Sequence, residues 1–301
     1  MRRIIPRYTW PLLVGLGLTG GVQKPAPRLL EILYTGDGTL CSVSTAGDRK
    51  VCAKSNEEFD DPSWDPRGTR VVVEAGQHDG ASSLVLLDST GKRLRRLVSS
   101  SGAIRPAWSP DGRYVFAIDY GIGSAVARWN ADGTARMRIP VTGGSSVGQQ
   151  VRSGAPPAQF QMLSFSPSGR RVALLTMRFR EMLVATVGDT AMTVFRTAPR
   201  DFAYVSQSVW LDESHLLFVG KRAPGRGELW ELNVEDGTAR RRGIDGLALR
   251  DQIALSPDRK SVAVTALSDS VRGWNVWTIT LADGHKRHLT NGNEDIVGSW
   301  R

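Results

Sequence analysis

The segment Pro106-Ala107-Trp108-Ser109-Pro110-Asp111-Gly112-Arg113 decides the fold, because variants of it recur along the chain. Working outward, Pro62 to Gly68 reads Pro-Ser-Trp-Asp-Pro-Arg-Gly, and Leu163 to Gly169 reads Leu-Ser-Phe-Ser-Pro-Ser-Gly. Ser208 to Ser214 keeps the aromatic at Trp210, Ile253 to Arg259 has Leu255 in its place, and the chain closes on Gly298-Ser299-Trp300-Arg301. The marked positions 64, 108, 165, 210, 255 and 300 are 44, 57, 45, 45 and 45 residues apart. A period of about 40–45 residues is that of a β-propeller with one blade per repeat. The longer step of 57 coincides with a Gly-, Ser-, Pro- and Gln-rich insert from Gly143 to Gln159.

Each repeat has the same internal order. After the marked residue comes a turn in which Pro presets φ and Gly accepts a positive φ. A β-prone run follows, such as Tyr114 to Ile118 or Val172 to Leu175. A second hairpin then turns on Asp-Gly, at Asp132-Gly133, Asp236-Gly237 and Asp283-Gly284, the strongest short hairpin signal. Four short strands per repeat make one blade. Ahead of Trp64 the chain offers only three strands, Glu31–Tyr34, Thr39–Ser44 and Arg49–Cys52. The expected fold is therefore all-β, a six-bladed propeller over residues 29–301. Its sixth blade takes its first strand from Ile296 to Trp300, which pairs edges that would otherwise stay open.

The 301 residues include 32 Gly and 15 Pro, consistent with many turns and few helices. Residues 1–24 read as a signal peptide or short N-terminal anchor: Arg2, Arg3 and Arg7 precede the apolar stretch Leu12 to Leu18. The expected location is therefore the bacterial periplasm or the exterior. No apolar run reaches the roughly 20 residues of a membrane-spanning helix, so no integral membrane domain is expected. The net charge is +9; without Arg2, Arg3 and Arg7, 36 basic residues face 30 acidic ones, or +6. Those charges are scattered rather than gathered on one face, so no nucleic-acid partner is expected.

Trp108-Ser109-Pro110-Asp111-Gly112-Arg113 resembles the motif of TolB-type six-bladed propellers in full. The repeats at Phe165 and Leu255 match it in most positions, that at Trp64 partly, and that at Trp210 in spacing. The resemblance covers roughly residues 29–301 and implies the fold. TolB carries an additional α/β domain before its propeller, and this chain has no counterpart, so the likeness is to the propeller alone. Oligogalacturonate lyases build a metal site on a similar propeller, which keeps an enzymatic alternative, a carbohydrate lyase or lactonase, in view.

The recurring aromatics, with Trp129, Trp230 and Trp277, are expected to pack between blades, and Asp111 to bond its own turn. Gly144-Ser145-Ser146-Val147-Gly148 has the letters of a nucleophile elbow but neither the strand before it nor the helix after it. The four histidines, His78, His215, His285 and His288, show no ligand spacing, so neither a metal nor a cofactor is assigned. Function then falls to the loops around the channel. Asp61, Arg105, Gln207 and Gln252 each lie three residues before a marked position and should meet at one channel mouth as ligand-binding candidates. An enzyme would require metal ligands or an acid/base pair near the axis, for which Asp61, His78, Asp251 and Asp295 are the residues to check. With the turn centred between Ala46 and Gly47, Cys41 faces Cys52, which suits a structural disulfide in an oxidising compartment. The expected activity is that of a monomeric, non-enzymatic scaffold for a protein or peptide partner.

Overall fold

The computed structural model describes residues 28–76, 82–97, 103–119, 125–143, 160–176, 181–197, 202–222 and 226–301. Residues 1–24, expected to be a signal peptide or short anchor, the insert beyond Gly143 and His78 lie outside them. The described residues form six sheets and no helix. In each blade the innermost strand ends on a marked position: Glu58–Trp64, Ala103–Trp108, Phe160–Phe165, Tyr204–Trp210, Leu247–Leu255 and Asp295–Trp300. These open blades one to six in that order, and three further antiparallel strands follow outward in each.

Strand alternation explains where the core sits. Successive residues of a strand point to opposite faces, so one strand serves two blade interfaces. Val71, Val73 and Ala75 pack toward blade six, whereas Val72 packs toward Trp108 and Trp129 of blade two. The result is six apolar clusters, one for each neighbouring pair of blades. Trp108 and Trp210 also fasten neighbours together. Their indole N–H groups donate to the backbone carbonyls of Ser63 and Ser164, at 3.2 and 3.0 Å.

Ring closure follows the expected plan. Asp295–Trp300 pairs with Ile32–Gly36, and Thr39–Val43 and Lys50–Cys52 complete blade six. The seam to blade one is held by Arg301, whose guanidinium lies 4.2 Å from the centre of the Trp64 ring and donates to the carbonyls of Leu29 and Gly68. The Trp64 amide donates to Ser299 Oγ at 2.9 Å. In the outer hairpin Cys41 stands opposite Cys52, and the two sulfurs are bonded.

Three details differ from the sequence reading. Trp64, Trp108 and Trp210 are buried, but Phe165, Trp300 and Trp277 are only half-buried. Phe165 and Trp300 turn part of their rings to the central channel, and Trp277 stacks on His288 with centroids 4.5 Å apart. Blade three has a fifth strand, Val141–Gly143, which runs parallel to Met192–Thr197 where an insert was expected to begin. Pro140 turns the chain out of blade two, and its carbonyl accepts the Met192 N–H. In the fifth repeat Arg259 takes the turn position held by Gly68, Gly112 and Gly169 elsewhere, at a φ of 58°.

Candidate functional site

The inner strands do not run straight into the channel. In blades one to five the ladder slips near the strand start, between Asp60 and Ser63, Ile104 and Ala107, Phe160 and Met162, Val205 and Ser208, and Leu249 and Ile253. Such bulges re-aim side chains. At two of them a non-glycine residue is held in the left-handed region, Asp61 at φ 47° and Arg105 at φ 53°. Conformations of this kind cost of order 1–3 kcal/mol and persist where the surrounding structure enforces them.

The bulges bring three of the four expected residues into one cluster. Gln252 Nε2 donates to Asp61 Oδ1 at 2.6 Å, and the Arg105 guanidinium lies 3.6 Å from the same oxygen. Gln207 lines the channel with Asp61 and Arg105 from blade four but forms no hydrogen bond with the cluster. In blades three and six the equivalent positions are Met162 and Val297, both buried. Half of the ring is thus a connected polar cluster, and the rest is wall.

The structure adds two acids absent from the sequence reading. Asp60 and Glu74 are cross-strand partners beside Asp61 in a cavity of about 290 Å³. Burial pushes the Glu74 carboxyl up to about 7, and the Asp61 charge adds to the rise, although Ser82 and the Arg105 amide donate to it. Asp60 is raised by burial and then by Asp61. Arg105 and Arg250 are the cations here, and Arg250 is paired with Glu294 at 2.7 Å. The one sequence signal for Glu74 was a carboxylate inside the apolar run Val71 to Ala75.

Below this mouth the channel opens into a cavity of about 340 Å³. Its walls carry the marked aromatics of five blades together with Leu255. Among the described residues, no three His, Cys, Asp or Glu side chains are placed to hold one metal ion. Asp295 is buried and accepts the Gly292 N–H at 2.8 Å, which commits it to blade six. The Asp251 side chain and His78 lie outside the described residues. His215 pairs with Asp212 at 3.1 Å on the surface, and His285 sits in an outer turn.

The fold and this mouth define a six-bladed β-propeller whose candidate site is its central channel. Within that class the chain is similar to TolB propellers. A protein TolB homolog from Chlorobium chlorochromatii (strain CaD3) is 40% identical over 96 residues, a match spanning 32% of this chain and 18% of that protein. The structure of TolB from Acinetobacter baumannii superposes with a TM-score of 0.69 at 14% identity, covering 90% of this chain and 66% of that one. An oligogalacturonate lyase solved in complex with manganese gives a TM-score of 0.53 at 11% identity, over 86% of this chain and 73% of that one. No family model matches the chain. The resemblance read from Trp108 to Arg113 is borne out by the TolB homologue and by the six-bladed fold. At 14% and 11% identity the structural likenesses carry the fold and no more.

Proposed function

We propose that the chain is an exported, non-enzymatic propeller that binds a protein or peptide segment at the Asp61 mouth, in the periplasm or outside the cell. The observation that carries this reading is the bulge-borne cluster of Asp61, Arg105 and Gln252. Its polar side chains are positioned at some backbone cost over an aromatic-walled cavity, a mixture suited to an extended peptide with polar and apolar side chains. The similarity to TolB supports an envelope location. No helix among the described residues is long and apolar enough to cross a membrane.

The test is a pull-down of envelope proteins with the mature domain and with Asp61→Ala and Arg105→Ala variants. A partner retained by the wild type and lost by both variants, at unchanged melting temperature, supports the reading. Equal retention by all three proteins removes the mouth from consideration. Mass spectrometry of exported protein should show the chain starting after residues 1–24 have been removed, and size exclusion should show a monomer.

One observation favours a second reading. A carboxyl raised to about 7 beside two more carboxyls is what a general acid or base requires. Turnover of uronate oligosaccharides or lactones that vanishes in Glu74→Gln would establish the enzyme and displace the scaffold.

A further inference from the structure

The channel has a second mouth, at the turns that follow the inner strands. The strand that carries Asp61 at one mouth ends at Trp64, and the turn that follows it lines the other. The second mouth widens into a cup of about 670 Å³. Its floor is aromatic, with Phe165 and Trp300 half-buried and facing it, and turn prolines from four blades form its wall. Arg67, Arg259 and Arg301 complete the lining.

The polar chemistry of this cup is one-sided. Arg301 is committed to the ring seam. Arg67 and Arg259 are exposed, and among the described residues their side chains meet no carboxylate and no hydrogen-bond acceptor. The acceptors that line the cup are already used. Asp65 takes the Thr69 and Arg70 amides at 2.6 and 2.9 Å, and Ser166 Oγ takes the Arg171 amide at 3.1 Å. A sugar needs acceptors as well as donors for its hydroxyls, and the cup supplies guanidinium donors over aromatic carbon. That combination suits an anion with an apolar body, since a guanidinium pairs with a carboxylate through two charge-assisted hydrogen bonds.

We propose that this cup is a binding site for an apolar carboxylate, with Arg67 and Arg259 taking the carboxylate and Phe165 and Trp300 taking the apolar group. Such a group can be the C-terminus of a peptide or a free organic acid. The assignment is independent of what binds at the Asp61 mouth.

Titration calorimetry on the full mature chain tests it with three probes: N-acetyl-tryptophan, its amide, and decanoate. The acid should bind at least tenfold tighter than the amide. The double variant Arg67→Gln/Arg259→Gln should lose that preference, and Asp61→Asn should keep it. Both arginine side chains are exposed and unbonded, so the double variant should melt with the wild type, which a thermal scan checks. Whichever of N-acetyl-tryptophan and decanoate binds tighter identifies the peptide end or the free acid as the source. Equal binding of acid and amide, binding unaffected in the arginine double variant, or no binding of either carboxylate at several millimolar would overturn the assignment.

Discussion

Replacing Glu74 by Gln should make the protein more stable, by an amount that grows from about pH 4.5 to pH 7 and is full above it. In the folded chain the carboxyl is pushed from near 4.5 up to about 7, chiefly by burial. Between those values the folded state holds a proton that the unfolded chain releases, so stability falls as pH rises through the window. At 1.36 kcal/mol per pK unit the whole shift corresponds to about 3 kcal/mol, and partial solvent access lowers the expectation to about 1–3 kcal/mol. Asp60 is raised for the same reasons, and removing the Glu74 charge adds no new repulsion to it. Gln is neutral at all pH values and nearly isosteric. Urea unfolding of both proteins at pH 5, 6, 7 and 8 measures the effect. The two should differ by less than about 1 kcal/mol at pH 5 and by about 1–3 kcal/mol at pH 8. A difference that stays flat across this range would refute the buried, raised carboxyl and with it the acid/base reading.

Deleting residues 296–301 removes the inner strand of blade six and the Arg301 seam, and should lower stability by roughly 5 kcal/mol or more, enough to abolish the cooperative melt; an unchanged melting temperature would mean the ring does not close there. Replacing Cys41 and Cys52 by Ala should cost about 2–3 kcal/mol for a bridge spanning 11 residues, read by denaturation, and alkylation of exported wild-type protein without reductant should modify neither cysteine. Arg259→Gly puts glycine at a φ of 58° and should stabilise by about 1 kcal/mol, while weakening carboxylate binding in the second cup.

The spacing of Trp64, Trp108, Trp210 and Trp300 made the ring legible, because each blade repeats one packing problem and solves it with a large apolar residue, Trp in four of the six. The Pro-Asp-Gly and Asp-Gly turns were legible because their backbone conformations admit few other residues. Closure through Ile296 to Trp300 followed from counting strands. The site was legible only in part. Asp61, Arg105 and Gln252 were found by counting back along equivalent strands, but their contact depends on bulges, which leave no mark in these residue types. Gln207 sits at the equivalent position and does not join them. Glu74 escaped notice because its partner Asp60 is distant in sequence and adjacent only across a ladder. The half-burial of Phe165 and Trp300 is likewise set by the ring's bore rather than by the repeat.

Ring closure also sets a timetable. Gly36 pairs with Asp295, so the inner edge of Ile32–Gly36 waits 259 residues for its neighbour. At about 5–20 residues per second of synthesis, that wait is roughly 13–50 s. Throughout it, an apolar strand with Ile32, Leu33 and Tyr34 presents unpaired N–H and C=O groups to whatever else is in reach. The blade that Asp295–Trp300 completes is thus begun by Ile32–Gly36, and the newborn chain stays vulnerable until residues 295–300 arrive.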